Sequence, residues 1–164
     1  MIFIDHANVY MNLLNLNCRM DYVKFINVLA QYSHLVGALI YVGLPKKIPK
    51  EKKKFLSYLK KAGFIIQPRP LQETPNGKKK QKGVDVFMYK EIVELAEEDS
   101  YDRAIIVSGD ADFVDAVRKL KELAKEFTIW SFKVSLAQAL IDEAGKENVQ
   151  YIDTILEYIA LPEN

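Results

Sequence analysis

The sequence predicts an α/β fold: a three-layer α/β/α sandwich built around a mainly parallel central sheet. The first observation is that short, nearly continuous apolar segments alternate with segments of helical periodicity. The second is that the apolar segments lack the polar alternation of half-exposed strands, which indicates helices on both faces of the sheet. With 164 residues the chain is long enough for one substantial core, so we expect 1–164 to form a single domain.

The predicted strands are apolar runs that end at polar residues or turns. The first run ends at Asp5, and the third ends before Pro68. The six predicted strands cover residues 1–4, 35–42, 64–66, 104–107, 128–132 and 149–152. Right-handed crossovers between parallel strands then place helices on both faces of the sheet.

Helical periodicity fills most of the segments between these strands. Asp21 is placed to cap the first predicted helix, and Gly63 is placed to end the second, at residues 50–62. The remaining predicted helices cover residues 84–96, 113–124 and 135–144 and the C-terminal end. Residues 68–83 hold three prolines, two glycines and four lysines, so we predict a mobile loop there.

The composition excludes several kinds of protein. No apolar stretch approaches the roughly 20 residues that a membrane-spanning helix needs, and residues 1–10 lack the basic start of a signal peptide. Cys18 is the only cysteine, which excludes an internal disulfide and a cysteine-based zinc site. The glycine motifs of dinucleotide-binding and P-loop enzymes do not occur. We expect a cytoplasmic protein.

Charge is distributed unevenly along the chain. Residues 46–82 carry 13 lysines and arginines against two acidic residues, a net charge of +11. Residues 83–164 carry 8 basic residues against 18 acidic ones, a net charge of −10. A strongly basic segment of this kind indicates a polyanionic partner.

Acidic residues follow two of the predicted strands. Asp5 ends the first strand, and Asp110 and Asp112 follow the strand at residues 104–107. Ligands of open α/β sheets bind beyond the carboxyl ends of the strands, so these carboxylates converge if the two strands are neighbours. A cluster of this kind repels itself unless a cation is bound, and Mg²⁺ prefers oxygen ligands.

Each acidic residue also has a purely structural interpretation. Asp5 could start a turn, Asp85 could interact with the dipole at the start of a helix, and Asp112 could cap the helix that follows it. Asp110 has no helix to cap directly, because the turn at Gly109 leaves it at the end of the strand. Taken together, acids from three separate segments favour a metal site.

Three segments closely resemble the NYN domain, a branch of the PIN-like nucleases, and its LabA-like group in particular. They read MIFIDHANVY, KGVDVFMYKEIVELA and YDRAIIVSGDADFVDAVRKLKELAKEFTIWSF. The resemblance runs over nearly the whole chain. It implies a PIN-like, Rossmann-like α/β/α fold, an acidic pocket that binds Mg²⁺ or Mn²⁺, and activity as a metal-dependent ribonuclease.

The resemblance also implies roles for five residues. Asp5, Asp85, Asp110 and Asp112 match acidic motif positions, which implies that they bind metal and activate water. Asn8 matches the first motif as well, and its implied role is to orient ligand or substrate. These five residues are the predicted catalytic set.

Two positions depart from the family pattern. His6 stands where the family usually has glycine, and Ala111 replaces a frequent glycine. We predict that His6 narrows the pocket, contacts a phosphate or adjusts a proton near pH 7. The alternative is a tolerated side chain, on the surface or packed, without a chemical role.

Lysines in the loop before Asp85 are predicted to contact the substrate, because lysines bind phosphates without reading base sequence. The predicted substrate-binding residues are Lys78, Lys79, Lys80, Lys82, Ser108 and His6. For Ser108, a role in the turn at the end of its strand is an equal alternative. For the lysines of residues 46–61, the alternative is a solvated helix face.

The leading hypothesis is a metal-dependent ribonuclease that hydrolyses phosphodiester bonds of single-stranded or structured RNA. The second hypothesis is a catalytically weak RNA-binding or regulatory module that keeps the fold and the acidic pocket. A haloacid-dehalogenase phosphatase fits residues 110–114, but that motif should follow the first strand and here follows the fourth. A homodimer is expected from the general frequency of dimers.

Overall fold

The structure is a computed structural model that describes residues 1–73, 79–81 and 83–161, with the backbone alone for 72, 73 and 79–81. The strands of this part are β1 (Ile2–Asp5), β2 (Ala38–Leu44), β3 (Ile65–Glu73), β4 (Lys79–Gln81), β5 (Arg103–Val107), β6 (Glu126–Ser131) and β7 (Val149–Tyr151). The helices are α1 (His6–Asn15), α2 (Tyr22–Ala30), α3 (Lys50–Lys61), α4 (Val84–Glu97), α5 (Val114–Glu122), α6 (Gln138–Ala144) and α7 (Leu156–Ile159).

The strands form one sheet in the order β4-β3-β2-β1-β5-β6-β7. All neighbours run parallel except β3 and β4, which are antiparallel. β1 lies beside β5 with Ile2 opposite Ile105 and Ile4 opposite Val107. The two strands that precede the predicted acidic motifs are therefore central neighbours, and the predicted convergence of their carboxyl ends has the topology that it requires.

The core lies on both faces of the sheet. Ile2 and Ile4 of β1 pack on one face with residues of α1, α2 and α7, whereas Phe3 packs on the other face with residues of α4, α5 and α6. Alternate residues of a strand point to opposite faces, so a fully apolar strand serves both layers. This arrangement confirms the predicted three-layer α/β/α sandwich with a mainly parallel sheet.

The predicted mobile loop at residues 68–83 is wrong where the structure describes it. β3 continues through Pro68 and Pro70 to Glu73, and β4 then pairs with its last three residues. The prolines fit because they lie two residues apart, so their missing N–H groups face the same side of β3. Within the described residues, β4 pairs only from Leu71 onwards, which leaves an open strand edge beside the prolines.

One helix was not predicted. Residues 6–15 form α1 directly after β1, and the side chain of Asp5 caps it by accepting a hydrogen bond from the backbone N–H of Asn8. The predicted turn at this point is therefore the start of a helix. None of the helices in the described residues is both long and apolar enough to cross a membrane.

Candidate functional site

Four aspartates lie where β1, β5 and the start of α4 meet. Asp5 ends β1, Asp110 and Asp112 follow β5, and Asp85 lies in the first turn of α4. One carboxylate oxygen from each of Asp85, Asp110 and Asp112 lies within 4.8 Å of the other two. The structure thus brings together three of the four predicted acids, and it places Asp5 beside them with a different environment.

Asp110 and Asp112 are positioned by a short 3-10 turn at Ala111–Phe113. Oδ1 of Asp110 accepts a hydrogen bond from the backbone N–H of Asp112 at 3.0 Å, so Asp110 caps this turn. The expectation that Asp110 has no helix to cap directly is wrong, and the structural alternative in which Asp112 caps the following helix does not hold either. The cap fixes the carboxylate of Asp110 at the end of β5 and leaves Asp112 exposed within the turn.

Asp5 forms the floor of the acidic site. It is only 4% exposed. Its Oδ1 accepts from the N–H of Asn8 at 3.2 Å, and its Oδ2 accepts from the hydroxyl of Ser108 at 3.1 Å. Burial raises the pKa of Asp5, the two hydrogen bonds oppose that shift, and the charge of Asp110 adds to it.

Ser108 lies between Asp5 and the turn that carries Asp110. Its side chain is completely buried. Its hydroxyl donates to Asp5 and accepts from the backbone N–H of Asp110 at 3.2 Å. This burial and these contacts agree with the alternative given for Ser108, a role in the turn at the end of its strand, where it joins β1 to the turn after β5.

Asn8 connects α1 to the same turn. Its Oδ1 accepts from the N–H of Gly109 at 3.3 Å, and its carbonyl accepts from the side chain of Asn12 at 2.7 Å. The same Nδ2 of Asn12 donates to the hydroxyl of Ser135 at 2.9 Å. Sequence analysis missed Asn12 and Ser135. The spacing of Asn8 and Asn12, four residues on one helix face, is the signal that could have identified Asn12.

Gly109 is required by close backbone packing. A Cβ atom at this position would lie 2.3 Å from the carbonyl oxygen of Ser135 and 2.5 Å from Oγ of Ser131. The carbonyl of Gly109 also accepts a hydrogen bond from the N–H of Ala137 at 2.9 Å. The turn that carries Asp110 is thus held against the segment after β6, which leaves no space for a side chain.

Crowding of like charges is visible in the electrostatics of Asp85. Its pKa is raised to about 6, first because the side chain is partly buried and then because Asp5, Asp110 and Asp112 repel its negative charge. The charges of the three other acids therefore all act on Asp85, although only Asp85, Asp110 and Asp112 have oxygens within 4.8 Å of one another.

A cavity of about 710 Å³ opens above these acids. Asp5, Asn8, Asp85 and Asp110 contribute to its lining, and Lys52 of α3 lines it as well. Burial lowers the pKa of Lys52. The sequence could not separate Lys52 from the other lysines of this region. Lys54, for comparison, is exposed and pairs with Glu51 at 3.2 Å.

The side chains of the four predicted loop lysines lie outside the described part of the chain. Lys78 and Lys82 lie outside the described residues. Lys79 and Lys80 belong to β4, and their side chains lie outside the described part. Their backbone nevertheless places them on the strand that precedes α4, so the basic segment leads towards Asp85.

His6 is packed among aromatic rings. It lies against Tyr10, Tyr22 and Phe55, with ring centroids 5.6, 6.4 and 5.3 Å away. Burial and the nearby charge of Lys52 lower the pKa of His6 to about 3. The prediction that His6 adjusts a proton near pH 7 is therefore wrong, because the ring is neutral there. Its packing agrees with the alternative given for it.

Comparison with known proteins supports the fold and gives the family. The crystal structure of a protein of unknown function from Vibrio parahaemolyticus is similar to this chain, with a TM-score of 0.79 and 28% identity, covering 98% of this chain and 94% of that one. No curated protein matches the chain. The model of the NYN domain matches residues 1–149. The chain therefore belongs to the NYN domain family, whose members have a PIN-like nuclease fold and act on nucleic acids.

Proposed function

We propose that this protein is a metal-dependent ribonuclease that hydrolyses RNA phosphodiester bonds in the acidic cavity at the carboxyl ends of β1 and β5. The observation that carries the proposal is the group of three carboxylates within 4.8 Å of one another. We also propose that the chain belongs to the LabA-like group, that residues 1–164 form a single domain and that the protein is a homodimer.

The donor set fits a hard divalent cation. Asp85, Asp110 and Asp112 offer oxygen ligands, which Mg²⁺ and Mn²⁺ prefer. After burial, repulsion from Asp5, Asp110 and Asp112 contributes to the raised pKa of Asp85, and a bound cation would relieve this repulsion. Asp85, Asp110 and Asp112 would hold the ion, with Asp5 as the fourth negative charge beneath them. When bound, the ion supplies activation of water and stabilisation of charge on the phosphate.

The surrounding residues would position the substrate. Asn8 is oriented by the bond between its Oδ1 and the N–H of Gly109, so its amide NH₂ is left to donate to a phosphate oxygen. Lys52 of α3 also lines the cavity and would contact the backbone phosphate next to the scissile one. Ser108 and Asn12 would hold this geometry without touching the substrate.

A second candidate is the catalytically weak RNA-binding or regulatory module. The observation that favours it is the large His6 side chain at the edge of the cavity, where the family usually has glycine. In that case the protein binds RNA in the acidic cavity through a cation but hydrolyses it slowly.

The test is cleavage of a labelled single-stranded RNA in Mg²⁺, Mn²⁺ or EDTA by the wild-type protein and by Asp110→Asn. Asparagine keeps an oxygen that can accept the hydrogen bond from Asp112, so the cap survives while the charge is removed. We expect metal-dependent cleavage that falls by about a hundredfold or more in the variant.

Asp115→Asn is the matched control, because Asp115 is an exposed aspartate near the same turn that pairs with Arg118. It should cleave at the wild-type rate. Absence of cleavage by the wild type in both metals, with salt-sensitive RNA binding retained, would favour the second candidate. Equal activity of Asp110→Asn and the wild type would exclude this cavity as the active site.

A further inference from the structure

A second cavity adjoins the acidic one. It has a volume of about 1,140 Å³ and lies beside α1 and α3. We call it the aromatic groove, because Tyr10, Tyr22, Phe55 and Tyr58 line it together with aliphatic side chains. Tyr10, His6 and Lys52 line both cavities. The aromatic groove is therefore continuous with the proposed active site.

Tyr10 stands on the boundary with its ring held in place. It stacks on His6 with ring centroids 5.6 Å apart and an angle of 13° between the planes. The residue is nevertheless 50% exposed. A ring that stacks against a neighbour and is still half exposed leaves aromatic surface for a further stacked ring, at little cost in side-chain entropy.

The wall formed by α3 is also ordered. The hydroxyl of Tyr58 accepts from the N–H of Tyr22 at 3.1 Å and donates to Asp21 at 3.3 Å. Phe55 packs against Tyr22 with ring centroids 5.5 Å apart. These contacts among the chain's own residues hold the aromatic surfaces of this wall in place.

The charged residues around the groove favour an anionic chain. Lys52 lies between the two cavities and Arg19 lines the groove. Glu51 lines it too, but its carboxylate pairs with Lys54 at 3.2 Å. Flat aromatic surfaces with adjacent cations are what an unstacked nucleotide needs, because its base stacks and its phosphates pair with the cations.

We infer that the aromatic groove binds a nucleobase of a single-stranded RNA, stacked on Tyr10, while the adjoining phosphate passes Lys52 towards the acidic cavity. This inference rests on the proposed function and narrows its substrate to single strands. A base within a duplex is stacked on both faces and paired along one edge, so it cannot enter the groove without leaving the helix.

A second copy of this chain is the other occupant to consider, because Met11 and Leu14 also expose apolar surface on α1. The continuity with the acidic cavity and the position of Lys52 favour the nucleotide. A dimer that buried the groove would also cover Tyr10 at the edge of the proposed active site. The experiment therefore includes the oligomeric state as an outcome.

The test is equilibrium binding of a short labelled oligoadenylate in EDTA, followed by fluorescence anisotropy, so that cleavage plays no part. We expect Tyr10→Ala to bind about five- to 150-fold more weakly than the wild type, the range for loss of one stacked base. Tyr10→Phe should bind as the wild type does. Tyr32→Ala is the matched control, because Tyr32 is 93% exposed and lines neither cavity.

An oligonucleotide with the bases removed separates stacking from charge. The wild type should bind this oligonucleotide more weakly than it binds oligoadenylate. Tyr10→Ala should bind it about as weakly as the wild type does. Equal oligoadenylate binding by Tyr10→Ala and the wild type would overturn the inference. So would light scattering that shows a wild-type dimer and a Tyr10→Ala monomer. If Tyr10→Ala binds oligoadenylate more weakly than the wild type, as expected, but the wild type cleaves no RNA, only the proposed nuclease activity is contradicted.

Discussion

The acidic cavity and the aromatic groove share a boundary at Tyr10 and His6 but are stabilised in opposite ways. In the acidic cavity, partial burial and then the charges of the neighbouring carboxylates raise the pKa of Asp85 to about 6. In the aromatic groove, uncharged rings pack together, and the pKa of His6 falls to about 3. The charge of the acidic cavity therefore opposes its own burial, whereas the aromatic groove is stabilised while its histidine stays uncharged.

The largest expected effect tests how rigidly the acidic cavity is built. Gly109→Ala places a Cβ atom 2.3 Å from a backbone oxygen of Ser135, which neither segment can relieve without moving. We expect the free energy of unfolding to fall by about 3 kcal/mol and the cleavage activity to be lost. Urea denaturation followed by circular dichroism measures the first effect.

Gly37→Ala is the matched control for this substitution. Its Cβ atom would lie 3.4 Å from the end of the Met1 side chain and 3.8 Å from Ile65, which is ordinary contact. A loss of stability in Gly109→Ala no greater than in Gly37→Ala would show that the turn carrying Asp110 is adaptable.

The next effect concerns the aromatic groove at acidic pH. His6 has a folded-state pKa of about 3, below the ordinary 6.5, so the unfolded chain binds a proton that the folded chain refuses. Its contribution to stability is complete above pH 6.5 and is lost as the pH falls towards 3. Between pH 7 and pH 5 the loss is about 2 kcal/mol. His6→Phe should remove this part of the pH dependence.

Denaturation of the wild type and His6→Phe at a series of pH values tests this expectation. His34 is the second histidine of the chain and is exposed, so His34→Phe should keep the wild-type slope. If His6→Phe and the wild type lose stability in parallel on acidification, His6 is not held neutral by the groove.

The third effect has the opposite sign and belongs to the acidic cavity. The folded state raises the pKa of Asp85 from 3.8 to about 6, so the folded chain holds a proton that the unfolded chain releases. Stability from this residue therefore falls as the pH rises from about 4 to about 6. At pH 7.5 in EDTA, Asp85→Asn should be more stable by about 1–2 kcal/mol, after allowance for screening by solvent.

Addition of Mn²⁺ sharpens this prediction. The ion should stabilise the wild type, because it binds the folded state, and should stabilise Asp85→Asn less. Asp115→Asn, which removes an exposed and paired carboxylate, should not gain stability in EDTA. A wild type more stable than Asp85→Asn in EDTA would mean that the acidic cavity is not strained by its own charge.

The sequence predicted the fold class and most of the acidic cavity because both depend on local patterns. Apolar runs identified the central strands, and the order of the strands then placed Asp5 beside Asp110. The predictions from sequence were wrong or incomplete where contacts between distant residues decide the local structure. The prolines of β3 indicate a loop until the open edge of that strand is known, and Ser108 resembles a substrate contact until its burial is known.

The aromatic groove could not be predicted at all, because its parts are distant in the sequence. Tyr10 lies on α1, whereas Phe55 and Tyr58 lie on α3, and no local pattern connects them. Lys52 is one of several lysines in a basic helix, and only the packing of α3 beside α1 distinguishes it. Charge clusters leave a signal in the sequence through repeated acids, but surfaces made of ordinary aromatic residues do not.

The smallest effect tests whether the aromatic groove is ordered before it binds. Tyr58→Phe keeps the ring but removes the hydroxyl that accepts from the N–H of Tyr22 and donates to Asp21. The free energy of unfolding should fall by about 1 kcal/mol, and oligoadenylate binding should weaken less than in Tyr10→Ala. Tyr32→Phe is the control, since the Tyr32 hydroxyl has an exposed bond from Gln31. Equal stability of both variants and the wild type would mean that these hydrogen bonds do not hold the wall of the groove, so its aromatic surfaces would have to be ordered by the ligand itself.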